Sequence, residues 1–505
     1  MNVGNWLYKR SLVSPHRDAI LYDDRALTYL RMNQRVNRLC HALSGMGLSK
    51  GDRAAVLSRN CPEFLEVYFA CAKLGLIFVP MNFRMAPPEI AYQINDSSPG
   101  AVFFHAELES QIQGSERFLN TEPPAYVAWG GNRMQGARDY ETVLEGERDH
   151  EPDVAEGGVT LDTDQMIMYT SGTTGTPKGA LLSHRKCLFN TLNAQIYFDL
   201  CSRDTMLVAL PLFHSGGLNI MAVPTLYSGG KVILKPQFDP HAFLDDVEMH
   251  GVTQAMLVPT MLNTILKEAH PEKRDLSSLR SVLIGGEPVS GDIMNEARDR
   301  GLPVRQIFGQ TETSIELWVP EDMAREKAGA VGVPVFHSEV RVVSESGETV
   351  KPGDIGEIVV KGPIQMTAYW NLPEETAETI RDGWLHTRDL GRMDEDGFIF
   401  AVDRMGDMYI SGGENVYPAE VERVLMSHPK VFEAAIVGLP DDKWGMSGHA
   451  FVRPREGEAI AFDEIVSFLR ERVAAYKIPN SMEIVDEFPK TGSGKIKKTE
   501  LMKSR

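Results

Sequence analysis

Thr170-Ser171-Gly172-Thr173-Thr174-Gly175-Thr176-Pro177-Lys178-Gly179 reads as a loop built to wrap a polyphosphate. It follows an apolar run, Met166-Ile167-Met168-Tyr169, that has the character of a strand end. Glycines let the backbone come close and turn its N–H groups inward. The hydroxyls can donate to phosphate oxygens, and Lys178 adds a positive charge. A linker of similar composition would have no reason to hold so many fixed positions. The common nucleotide loop, G-x-x-x-x-G-K-[ST], is excluded because Gly179 follows Lys178. Gly492-Ser493-Gly494-Lys495 fails the same pattern, with Pro489 at its first glycine position and Ile496 after the lysine.

Outward from this loop the chain alternates strands and helices. Thr28 caps a helix with Met32, Val36, Leu39 and Leu43 on its apolar face, ended by Gly45 and Gly47. Residues 54–57 read as a strand. Asn60 and Pro62 open a helix that Gly75 closes, with Phe64, Val67, Tyr68 and Cys71 on one side, and residues 76–79 form the next strand. Residues 107–160 are less periodic and read as a surface excursion with solvated charge at Glu145, Glu147, Asp149 and Glu151. Beyond the loop, strands are expected at 231–234, 254–258, 281–284 and 304–308. Asp239-Pro240, Thr260 and Ser290 open the helices between them, and Gly251 and Gly301 close two of these. This pattern predicts an α/β fold with mostly parallel layers. Ligands of such sheets bind at the carboxyl ends of strands. The phosphate loop, Gly285-Gly286 and Gly309-Gln310-Thr311-Glu312 all fall at such ends, so three loops can converge on one cleft.

From about residue 332 short, glycine-punctuated strands suggest a β-rich subdomain. Near Arg404 the composition shifts, which marks a domain junction. The expected division is a large domain over 1–404 and a small α/β domain over 405–505.

The 505 residues exceed a single core. A net charge of −18 argues against an extended nucleic-acid surface. The five cysteines lack paired spacing, so reduced thiols are expected, and no export signal or membrane span is read. A cytoplasmic location follows as an expectation, and a homodimer is compatible with the sequence.

Residues 169–180 resemble the signature phosphate loop of the adenylate-forming superfamily: acyl-CoA synthetases, luciferases and the adenylation domains of peptide synthetases. Over nearly its full length the chain is most similar to a fatty-acid–CoA ligase. The resemblance implies that a carboxylate and ATP give an acyl-adenylate and pyrophosphate, and that CoA then displaces AMP. On the motifs around 408–422 and 236–239 a medium or long aliphatic acid is expected, with aryl acids next. A stand-alone adenylation enzyme, a luciferase-type oxygenase and a non-catalytic nucleotide-binding regulator are the competing readings.

The same resemblance implies roles residue by residue. ATP would meet Thr170, Ser171, Gly172, Thr173, Thr174, Gly175 and Lys178, then Gly286, Glu287, Pro288, Phe308, Gly309, Gln310 and Thr311. Phe308 stands where tyrosine is usual, and its face can still stack on adenine. Glu312, with Thr170, would anchor Mg²⁺, because a carboxylate beside a triphosphate needs a cation between them. Asp389 would contact the ribose and Arg404 the ribose or a phosphate, although Arg388 stands where glycine is usual. Lys495, in a P-x-T-x-x-G-K-like segment, would stabilise the α-phosphate during attack. His214, Gly217 and Gly285 would border the acid, with His214 gating or positioning it. Gly412, Gly413, Glu414 and Trp444 would face CoA, and Gly406 stands at the expected hinge.

Overall fold

The computed structural model describes residues 2–131, 134–153, 158–170, 177–286, 289, 291–404, 409–416, 418–489, 496 and 498–503. Local signals place most of the helices. Thr28 accepts a hydrogen bond from the Arg31 N–H and starts the helix Tyr29–Gly45. Gly75 closes Pro62–Leu74 in the left-handed conformation that glycine adopts without a steric penalty. Asp239 caps Pro240–His250 through the N–H groups of His241 and Ala242, and Gly251 ends it.

Among the described residues the large N-terminal domain holds two mixed sheets besides its β-rich region. The first runs Val333–Pro334, Leu317–Trp318, Val304–Phe308, Ser281–Ile284, Gln254–Leu257, Thr205–Val208, Lys231–Leu234, Asp18–Tyr22, Arg25–Thr28. Its centre is parallel and its margins are antiparallel. The second runs Ala368–Tyr369, Lys178–Ser183, Asp164–Thr170, Ile77–Met81, Arg53–Leu57, Ala101–His105, Ala125–Trp129, Arg138–Asp139. The helix Pro62–Leu74 is buried from Phe64 to Lys73 rather than on one side. A helix apolar nearly all round belongs between layers.

Three further expectations are corrected. The segment 107–160 is not a mere excursion, because Ala125–Trp129 pairs in parallel with Ala101–His105 inside the second sheet. Its Glu151 is not simply solvated. It takes a 2.6 Å bond from the buried Lys73 ammonium, which also donates to Asn33 and Asn37. Thr260 does not cap its helix, which begins one residue earlier at Pro259 with Val258 at the cap position. Ser290 lies outside the described residues.

The β-rich region is an antiparallel sheet in which Glu339–Val343, Ile355–Lys361, Trp384–Met393 and Ile380–Arg381 follow one another, and Ile399–Arg404 pairs with Trp384–Met393. The small C-terminal domain has its own sheet, Glu414–Val416, Tyr409–Ser411, Gly445–Pro454, Val431–Asp441, with Ser481–Ile484 alongside. The helices Pro418–Met426 and Phe462–Arg470 contribute Val421, Leu425, Ile465 and Leu469 to its apolar core. No helix among the described residues is long and apolar enough to cross a membrane.

Candidate active site

The phosphate-loop stretch closes a hairpin. Thr170 and Lys178 face each other across the antiparallel strands Asp164–Thr170 and Lys178–Ser183, and the Thr170 hydroxyl donates to the Lys178 carbonyl at 3.4 Å. Ser171, Gly172, Thr173, Thr174 and Gly175, within the loop itself, lie outside the described residues, as do Glu287, Pro288, Gly406 and Lys495. The Lys178 ammonium is engaged by Glu375 and lies 5.6 Å from the centre of the Tyr369 ring. Tyr369 in turn donates its hydroxyl to Glu312 Oε1 at 2.7 Å. The chain Lys178–Tyr369–Glu312 thus joins the second sheet, which carries the hairpin, to the end of the first.

Glu312 stands in a loop with almost no conformational slack. A Cβ on Gly309 would fall 1.8 Å from the Ser314 carbonyl oxygen, so only glycine fits there. Ser314 has a φ of 64° and donates its N–H to the Gln310 carbonyl at 2.6 Å. The Met366 N–H donates to the Glu312 carbonyl at 2.6 Å. Behind the loop Lys186 is fully buried in the helix His184–Tyr197 and donates to Ser314 Oγ at 2.5 Å, and Ser215 donates to that same oxygen at 3.2 Å. Burial pulls the Lys186 ammonium down to about 8, against the upward pull of Cys187, Glu312 and Glu316. This cation sets a positive potential behind the Glu312 carboxylate.

The adjoining strand ends pass close to their neighbours at two glycines. A Cβ on Gly285 would meet Met256 at 2.9 Å and Ile307 at 3.0 Å, and Gly286 has a φ of 95°. Phe308 is half-buried against the core. Gly217 is the second residue of the π-helical stretch Gly216–Ala222, and a Cβ there would fall 2.4 Å from the Pro211 carbonyl oxygen. Asp389 lies directly opposite Arg404 on neighbouring antiparallel strands, so the register brings these two expected nucleotide contacts to one place in the sheet. Its N–H is held by the Thr387 hydroxyl at 3.0 Å.

His214 is no buried structural residue. Its side chain is 42% exposed, packs on the Phe213 ring at 4.3 Å, and shares a 2.8 Å hydrogen bond between Nε2 and Glu414 Oε2. Glu414 also pairs with Arg84. Burial would raise the Glu414 carboxyl, but His214, Arg84 and Lys477 together hold it below the usual carboxylate range. The C-terminal hairpin Tyr409–Ser411 and Glu414–Val416 therefore reaches the N-terminal domain at His214. Trp444 is 42% exposed, with a hypothetical Cβ of Gly412 only 2.8 Å from its ring and the Lys443 ammonium 4.6 Å from the ring centre. It is a surface residue of that hairpin region and not part of a core.

Tyr369, Glu375, Lys186 and Arg84 were not singled out from the sequence. The signal available for Glu375 was its acidic place in Pro373-Glu374-Glu375-Thr376, opposite nothing visible in the linear chain. Lys186 gave none, because Arg185-Lys186 reads as surface charge until the helix face is known.

A family model described as AMP-binding enzyme matches residues 8–370, and one described as AMP-binding enzyme C-terminal domain matches 420–495. The chain is 43% identical over 502 residues to a feruloyl-CoA synthase of Amycolatopsis sp, covering 99% of this chain and 98% of that protein. It is 37% identical over 502 residues, with the same coverage, to the indoleacetate–CoA ligase of Aromatoleum aromaticum. Neither name carries a fatty acid, so the expected likeness holds for the family and not specifically for its fatty-acid members. Among solved structures, a double mutant of the Bacillus subtilis o-succinylbenzoate CoA synthetase bound with the product analogue OSB-NCoA is 33% identical and superposes with a TM-score of 0.89, covering 99% of this chain and 98% of that one. The same synthetase in complex with ATP and magnesium ion is 32% identical with a TM-score of 0.72, covering 99% of each chain.

Proposed function

This chain belongs to the AMP-binding enzyme family and is an AMP-forming acid–CoA ligase, and from that premise we propose that the acid it activates is aromatic. The observation that carries this reading is the 43% identity to a feruloyl-CoA synthase across 99% of the chain. The indoleacetate–CoA ligase at 37% supports the same class. The aliphatic acid expected from local motifs gives way to it.

In the first half-reaction an acid oxygen attacks the α-phosphorus of ATP and pyrophosphate leaves. Asp389 and Arg404 hold the ribose, the Phe308 face holds the adenine, and the hairpin loop at Thr170 receives the phosphates. Glu312, with Thr170, would hold magnesium, and its carboxylate fits because Tyr369 fixes one oxygen. When bound, that ion neutralises charge on the phosphate oxygens. Lys495 supplies positive charge as the α-phosphate is attacked. In the second half-reaction the CoA sulfur attacks the acyl carbon and AMP leaves. The hairpin of Gly412, Gly413 and Glu414, with Trp444, guides CoA to the cleft at His214, which gates the acyl group.

These two steps ask for different groups at one place. We place the boundary between residues 404 and 405 and a turn of the C-terminal domain at Gly406. The closer superposition on the relative that holds a CoA product analogue supports reading the present arrangement as the second-step one.

The test is a panel of acids with ATP, magnesium and CoA, read as AMP and thioester formed. Ferulate, indoleacetate or 2-succinylbenzoate should exceed decanoate in kcat/KM by about tenfold or more, the discrimination a shaped pocket supplies. Preference for decanoate would overturn the aromatic assignment.

A further inference from the structure

A second set of charged side chains lies beside the Glu414–His214 contact, where the C-terminal domain meets the N-terminal helix Pro87–Ser97. Lys477 ends the helical turn Ala475–Lys477, and its ammonium donates to Glu420 Oε1 at 2.5 Å and to Glu89 Oε1 at 2.7 Å. The three side chains are only 6%, 4% and 11% exposed. Glu420 belongs to the same domain as Lys477, whereas Glu89 belongs to the other. Beside them Asn82 of the N-terminal domain donates to the Tyr476 hydroxyl at 3.4 Å. Burial alone would lower the Lys477 pKa, but Tyr476, Glu89 and Glu420 outweigh it and hold the ammonium well above its usual range.

A cation needed only to fold the small domain is served by Glu420. The arm to Glu89 crosses between the domains, and a buried charge is tolerated there only while its partners are in place. We propose that Glu89, acting through Lys477, is a positioning residue for the thioester-forming half-reaction, holding the C-terminal domain so that the Gly412–Glu414 hairpin lies against His214. This rests on the two-orientation reading above. When the domain turns, Lys477 keeps Glu420 and Glu89 passes to solvent, so the bridge weighs on one orientation alone. The other oxygen of Glu89, Oε2, accepts from the Ala86 N–H at 2.8 Å at the start of its own helix. That bond stays within the N-terminal domain and counts equally in both orientations, so the ratio of the two half-reaction rates isolates the bridge.

The full-length Glu89→Gln and Glu89→Lys proteins test this with each half-reaction read separately: acid-dependent ATP–pyrophosphate exchange, and single-turnover reaction of preformed acyl-adenylate with CoA. The CoA step should fall about tenfold in Glu89→Gln while exchange stays within about twofold, the loss expected for one charge-assisted hydrogen bond. Glu89→Lys should fall further, because like charges then face each other. Equal losses in both half-reactions would reduce Glu89 to a helix-capping residue and overturn the proposal, as would an unchanged CoA step in Glu89→Lys. Wild-type protein that exchanges pyrophosphate but makes no thioester would instead refute the ligase reading, so the two failures are distinct.

Discussion

Arg388 has a φ of 63°, in the left-handed region that costs a residue with a side chain about 1–2 kcal/mol. Its N–H donates to Glu357 Oε1 at 3.0 Å, and the turn it makes sets Asp389 opposite Arg404. This backbone explains why glycine suits the position, and why arginine survives there only under local constraint. Arg388→Gly should relieve the strain, offset by about 0.5–1 kcal/mol of added chain entropy. The expected outcome is a gain of up to about 1 kcal/mol, read as a higher urea midpoint with adenylation retained. A lower midpoint would mean that the arginine side chain holds the turn more strongly than its backbone strains it. Glu312 and Asp389 were legible as candidates because each sits in a motif whose chemistry demands its type. Lys186 was not, because burial depends on which face of its helix meets the Glu312 loop.

At the scale of elements, the C-terminal hairpin meets the N-terminal domain at Gly413 through backbone with little room for a side chain. Gly413 has a φ of 82°, and a Cβ there would lie 3.0 Å from Val258 Cγ2 of the N-terminal domain. Gly413→Ala should therefore be strained and lift the hairpin from Val258. The CoA half-reaction should drop by about tenfold, on the scale of a lost positioning contact, with pyrophosphate exchange near wild type. Loss of exchange to the same degree would show that the substitution disturbs the whole protein. The helices that open on Thr28 and Asp239 and close on Gly75 and Gly251 were readable because their stop and start signals are local. The strand Ala125–Trp129 was not, because its buried place comes from pairing with Ala101–His105.

At the scale of the molecule, the two half-reactions as proposed ask the small domain to present Lys495 and the Gly412–Glu414 hairpin in turn. Proline at position 406 fixes φ near −65° and removes an N–H, so Gly406→Pro should hold one orientation. If that is the adenylating one, pyrophosphate release persists while thioester formation collapses. A folded Gly406→Pro protein that runs both half-reactions at wild-type rates would place the turn elsewhere.

The sequence by itself determined the α/β class and the strand that runs into the glycine- and hydroxyl-rich loop after Thr170, since both follow from local periodicity, and it offered Glu312 and Asp389 as candidates through motifs that resemble those of the family. It also supplied the glycines at 217, 285, 309 and 413, though not the reason for them. Only the tertiary structure decided that the strands from 18 to 334 and 368–369 divide between two mixed sheets, that Lys178 answers to Glu375, and that Glu414 reaches His214 while Lys477 reaches Glu89. Those pairs are separated by 197, 200 and 388 residues. No local pattern encodes such a meeting, because it is fixed by how the packed layers and the two domains close on each other.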